Sequence, residues 1–141
     1  MKLLTKNADY AIRALIELGT QKEGFISARY ISKRQKIPYS YLRKILQILV
    51  NNQVVEAKEG GKGGFRLKLL PAEIGLLDVI NILQGKKNLS DCLFRKKLCR
   101  NRDNCVLREN ILEIEKLVVE KFKKITVKKL INQGKLKRGK R

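Results

Sequence analysis

Histidine does not occur in this chain of 141 residues, and its absence removes Ser-His-Asp and Cys-His nucleophilic catalysis together with every zinc site built on imidazole. Acidic residues are scarce: 13 Asp and Glu stand against 33 Lys and Arg, a formal charge of +20. An excess of that size attracts a polyanion, nucleic acid first and an anionic membrane surface second. No apolar run approaches the roughly 18 residues of a membrane span, and the opening MKLLTKNADY lacks the apolar centre of a signal peptide. A cytoplasmic protein with no membrane partner is therefore expected. Cysteine is confined to Cys92, Cys99 and Cys105, and an odd number in such a compartment argues against a disulfide framework. With no paired-carboxylate site and no cofactor motif beyond the thiols, neither an enzyme nor a small-molecule substrate is expected.

What is present is enough for a core. An apolar content of 43% suits one compact domain, or a small domain with an appended helix. After Thr5, a candidate N-cap, Ala8, Ala11, Ile12, Leu15 and Ile16 recur at the spacing of an amphipathic helix that ends near Gly19. Ser27 can cap a short helix through Lys33, and Pro38, with no N–H to donate, forces a turn. From Ser40 to Asn52 a longer helix puts Leu42, Ile45, Leu46 and Leu49 on one face and leaves Ser40, Arg43, Lys44, Gln47 and Asn51 outside. The pair has the proportions of a helix-turn-helix. Spacing alone fits two core helices with solvated faces as well.

The next segment separates those readings. Val54 to Lys58 and Phe65 to Leu69 are extended runs joined by a turn holding Gly60, Gly61, Gly63 and Gly64, which together predict a β-hairpin wing with Lys62 at its tip and Arg66 beside it. GGKGG lacks the Gly-Lys-Ser/Thr of a P-loop and leads into a strand, so no nucleotide site is expected. GLLDVINILQG then predicts a core helix closed by Gly85. Beyond Cys105, Leu107, Ile111, Ile114, Val118, Phe122 and Ile125 form a long helical stripe, and little chain remains downstream to cover it, which favours a homodimer. Thr126 can cap a last short helix ending at Gly134, before the basic tail KLKRGKR. The expected fold class is mainly α with a small β-hairpin: a winged helix-turn-helix domain at 1–85, a cysteine-bearing loop at 86–105, a dimerisation helix and short C-terminal helix at 106–134, and a tail at 135–141.

C-x6-C-x5-C is a weak motif by itself, since structural zinc sites use C-x2-C knuckles and four ligands. Three readings stay open: unconnected loop cysteines, a thiol redox switch, and an iron-sulfur cluster with three cysteine ligands and one other group. Arg95, Lys96, Lys97, Arg100 and Arg102 favour the thiolate, the form needed to react or to bind metal.

The order of elements resembles the IscR, NsrR and RirA family of winged-helix transcription regulators. The resemblance is carried by LTKNADYAIRAL, IPYSYLRKILQILVNNQVVE, GGKGGFRL, IGLLDVINIL, the three spaced cysteines and ITVKKLI, and it covers residues 1 to about 132. It implies a homodimeric repressor of double-stranded DNA at a palindromic operator, with a [2Fe-2S] or [4Fe-4S] cluster held by Cys92, Cys99 and Cys105. The histidine that is the fourth ligand in the IscR branch cannot exist here. The NsrR branch uses an aspartate near the start of the first helix, and Asp9 stands at the matching place; Asp91, Asp103, Glu109 and a small thiol are the other candidates. The family's base-reading positions fall on Ser40, Arg43 and Lys44. Where the IscR branch has an arginine ahead of the wing glycines this chain has Glu59, which leaves Lys62 as the wing's DNA contact. A thiol-based regulator and a cluster-free basic nucleic-acid-binding protein remain the alternatives.

Overall fold

The computed structural model describes residues 3–21, 23–86 and 104–140. Among them the chain forms six helices and one two-stranded antiparallel sheet. Helix α1, Lys6–Thr20, starts where Thr5 Oγ1 accepts the Ala8 N–H at 3.2 Å, and it buries Ala8, Ala11, Ala14, Leu15 and Leu18. Its alanines permit close approach by neighbours, and Gly19 permits the closest. A Cβ there would lie 2.6 Å from Ile131 Cδ1, so Gly19 is a packing position inside the helix, which runs one residue further than its glycine suggested.

Helix α2, Ala28–Gln35, is capped by Ser27, whose hydroxyl accepts the Tyr30 N–H. It stops because Lys36 turns left-handed at φ 52°. Helix α3, Tyr39–Asn51, follows at once and buries Leu42, Ile45, Leu46 and Leu49 against α1, α2 and the sheet. Strand β1, Val55–Lys58, pairs with β2, Gly64–Leu67, from Val55 opposite Leu67 to Lys58 opposite Gly64. Ile26 exchanges both backbone hydrogen bonds with Phe65 at 2.8 Å, which fastens the start of the helix-turn-helix to the wing.

Helix α4, Leu76–Gln84, places Leu76, Val79 and Ile80 in the same core. Helix α5, Val106–Lys123, buries none of its residues. The expected apolar stripe is divided: Ile111, Val118, Phe122 and, two residues past the end of the helix, Ile125 are half-buried, whereas Leu107 is 57% and Ile114 46% exposed, and Leu117, outside the expected stripe, is 61% exposed. Helix α6, Val127–Gly139, is stitched to the start of α4 by Leu76 N–H to Ile125 O and Val127 N–H to Ile74 O, and it sends Val127 and Ile131 into the core. It passes through Gly134 instead of ending there. One exposed interior glycine costs about 1 kcal/mol relative to alanine, and the leucine, lysines and arginine around it are good helix formers. The basic tail is thus helical as far as Gly139.

Candidate nucleic-acid interface and cysteine site

The turn between α2 and α3 is held from within. Ser32 Oγ donates to the Ile37 carbonyl at 2.6 Å, Ile37 is buried, and Pro38 precedes the first turn of α3. With one face of α3 committed to the core, Ser40, Tyr41, Arg43, Lys44, Gln47 and Asn51 are all exposed on the other. Gln47 Nε2 donates to Asn51 Oδ1 at 3.0 Å and Arg43 Nη1 to Tyr39 Oη at 3.2 Å. The Arg29 guanidinium of α2 lies 5.1 Å from the Tyr39 ring centroid. The face is therefore cationic and rich in donors, as contact with phosphates and base edges requires.

Lys62 at the wing tip is exposed, as is Glu59. Behind the tip, Arg66 pairs with Glu56 across the strands and stacks 4.5 Å from the Phe25 ring centroid, with Lys58 at 5.7 Å from the same ring. The structure thus occupies Arg66 in holding the wing to the segment before α2. Gly64 is required by this join: its φ is +147° and a Cβ would lie 2.4 Å from the Ile26 carbonyl oxygen. Gly64→Ala is expected to lower the free energy of unfolding by about 1–3 kcal/mol. Gly61→Ala, where a Cβ meets nothing within 4 Å, should stay within about 0.5 kcal/mol. Urea denaturation of both variants checks the pairing, and equal midpoints would contradict it.

Of the predicted cluster residues, Cys105 is the half-buried N-cap of α5, its thiol free and making no capping hydrogen bond. Cys92, Cys99, Asp91 and Asp103 lie outside the described residues. Among the described residues no three acidic, cysteine or histidine side chains gather as a metal site would need. Glu109 is exposed in the first turn of α5. Asp9 is 53% exposed, and its Oδ2 lies 3.2 Å from Arg13 Nη2.

Arg13 carries that contact inward. Its Nη1 donates to the Gln35 carbonyl at the end of α2 at 2.7 Å, and its Nε is buried with no hydrogen-bond partner among the described residues. One turn further along α1, buried Glu17 accepts from Gln35 Nε2 at 2.6 Å and faces Arg34 Nε at 3.4 Å. At the other end of α1, Gln84 Oε1 accepts the Thr5 N–H at 2.7 Å and Gln84 Nε2 donates to the Leu3 carbonyl at 3.4 Å. The start of α1 is thus tied to the last residue of α4, and its body to the last residue of α2.

A family model described as iron-dependent transcriptional regulator, Rrf2, matches residues 4–133. The chain belongs to the Rrf2 family. Among its curated relatives are the HTH-type transcriptional regulator IscR of Pectobacterium atrosepticum, 27% identical over 92% of this chain and 79% of that one, and the HTH-type transcriptional regulator NsrR of Bacillus subtilis, 28% identical over 91% and 89%. The solved structure of CymR, the global cysteine regulator of B. subtilis, superposes with a TM-score of 0.81 at 23% identity, covering 94% of this chain and 98% of that one. That likeness establishes the fold. Rrf2 membership makes the chain a transcriptional regulator with a DNA-binding fold, and not an enzyme.

For an Rrf2 chain the sequence located the exposed polar face of α3 and the wing. It missed Tyr39, Arg29, Arg13, Gln84 and Phe25. Two of these had a local signal: Arg13 stands four residues after Asp9, and Tyr39 four before Arg43, the spacing at which helix side chains meet. Arg29 against Tyr39 and Gln84 against Thr5 are contacts between elements, with no local pattern to announce them.

Proposed function

We propose that this Rrf2 regulator is a homodimer that represses from a palindromic operator, and that Cys92, Cys99 and Cys105 hold an iron-sulfur cluster that governs its binding to DNA. The reading is carried by one coincidence: a winged helix-turn-helix with an exposed cationic face stands in the same chain as three cysteines confined to residues 92–105. Ser40, Arg43 and Lys44 address the major groove, and Lys62 a phosphate or the minor groove. The exposed Leu107, Ile114 and Leu117 of α5 supply the face for a second copy. With no membrane-crossing helix among the described residues and DNA as its partner, the protein is assigned to the cytoplasm.

The donor set suits such a cluster. A chain without histidine offers thiolates and carboxylates, the Cys105 thiol is free, and the Asp9 carboxylate is half-exposed with one oxygen on Arg13. The group, when bound, makes DNA binding responsive to redox state or ligand exchange. The protein's own residues do the rest. Asp9 and Arg13 join the start of α1 to the Gln35 carbonyl, beside the turn that sets α3. A change in what holds Asp9 is therefore felt at the recognition helix, and the coupling between cluster and DNA must be reciprocal.

Anaerobic purification followed by absorption spectroscopy and iron and sulfide analysis tests the cluster. Zinc alone, or no metal, would instead favour the thiol or cluster-free readings. For Asp9, the expected result is separable from folding. Asp9 is half-exposed and four residues from Arg13 on one helix, and Arg13 keeps its bond to the Gln35 carbonyl when Asp9 is removed, so loss of the pair costs about 0.5–1 kcal/mol. Asp9→Ala should leave thermal unfolding nearly unchanged while the cluster is lost to a chelator roughly ten times faster or more. An unaltered spectrum and rate of loss would rule Asp9 out as the fourth ligand.

A further inference from the structure

Tyr39, the first residue of α3, gathers two cations at one exposed ring. Arg43 Nη1 donates to its hydroxyl at 3.2 Å, and the Arg29 and Arg43 guanidinium carbons lie 5.1 and 5.9 Å from its ring centroid. The hydrogen bond from Arg43, and then the charges of Arg43 and Arg29, hold the phenol below its ordinary pKa. None of the three side chains belongs to the core, so packing does not account for the cluster. Two like charges at one ring oppose each other, and the arrangement becomes favourable when an anion or an acceptor faces it.

The detail that matters is what Arg43 has left. With Nη1 engaged by Tyr39, its Nε and Nη2 have no partner among the described residues, and that edge presents two parallel donors of the kind that grip guanine O6 and N7. An arginine left to sample its rotamers serves phosphates as readily as bases. We propose that Tyr39 is a positioning residue for base recognition: its hydroxyl and ring hold Arg43 with the Nε–Nη2 edge toward a guanine and keep Arg29 beside it for the neighbouring phosphate. The proposal rests on α3 entering the major groove.

The test uses the full-length protein and the duplex that the wild type enriches from a randomised pool. Tyr39→Phe keeps the ring and removes the hydroxyl. Its affinity for the enriched duplex should fall about tenfold, with affinity for an unrelated duplex unchanged. The slope of log K against log salt should stay as in the wild type, and selection by the variant should relax at the guanine. Tyr39→Ala, which also removes the ring beside Arg29, should in addition flatten the slope by about one phosphate contact. Arg43→Lys keeps the charge without the two parallel donors and should lose the same specificity while Tyr39 remains. Unchanged affinity and selection in Tyr39→Phe, or an equal loss on both duplexes, would overturn the role of Tyr39. A wild-type protein that binds DNA but enriches no sequence would overturn base reading by α3 itself, and the proposal with it.

Discussion

Replacing any one of Cys92, Cys99 and Cys105 with serine is expected to abolish bound iron and sulfide and the visible absorbance of the anaerobically purified protein. A thiolate is the iron ligand, and a serine hydroxyl stays protonated at neutral pH and does not replace it. Cys105→Ser is the most informative of the three, because loss of the cluster and loss of the fold move in opposite directions. Cys105 is the N-cap of α5 and makes no capping hydrogen bond, whereas serine is among the best N-caps and contributes about 1 kcal/mol in that role. The variant should therefore melt at the same temperature as the metal-free wild type or slightly above it, with no cluster. DNA binding should then follow the metal-free form in both proteins. If Cys105→Ser retained wild-type iron and sulfide, the three-cysteine ligand set would be wrong.

Placing a charge on the exposed face of α5 should have the second large effect. Leu107, Ile114 and Leu117 fall on one side of the helix, seven and three residues apart, and all three are substantially exposed in the single chain. Covering such a side chain fully contributes about 1.5–3 kcal/mol, and a twofold interface counts each substitution twice. Ile114→Asp is thus expected to raise the dimer dissociation constant by roughly 10²–10⁴. Because a dimer engages two half-sites at once, affinity for the operator should fall over a similar range of about 10²–10⁴. The salt dependence of DNA binding should become shallower too, since one monomer displaces about half the counterions. Sedimentation of the variant and its titration with the selected duplex check both results. A variant that remained dimeric with wild-type affinity would show that α5 is not the dimer face. Unfolding is not the expected cause, because no residue of α5 is fully buried in the single chain.

The helices of the DNA-binding region were legible in the sequence because their signals are local. Thr5 and Ser27 cap α1 and α2 through backbone N–H groups three residues on, and the apolar positions of α3 recur every three or four residues. The paired strands were legible from their glycine-rich turn. The boundaries were less so. Gly19 and Gly134 looked like helix ends, but Gly19 lies within α1 as a close-packing position and Gly134 is simply tolerated within α6. The apolar residues around α5 form one stripe in the sequence. Its division between a half-buried side and an exposed side depends on where the rest of the chain lies.

For the candidate site, the sequence determined the charge of +20, the absence of any imidazole ligand and the confinement of all thiols to residues 92–105, because these are matters of counting and position. It determined the exposed polar face of α3 as well, since helical periodicity assigns faces without knowledge of neighbours. Only the tertiary structure decided that Arg13 links Asp9 to the end of α2, that Gln84 holds the start of α1, that Arg66 is drawn to Glu56 and Phe25, and that Arg29 meets Arg43 at Tyr39. Most of these contacts join residues distant in sequence, and a hydrogen bond or a stacked cation forms only when packing brings its two groups within a few ångströms. Periodicity records which way a residue faces along its own element, and the fold alone records what it faces.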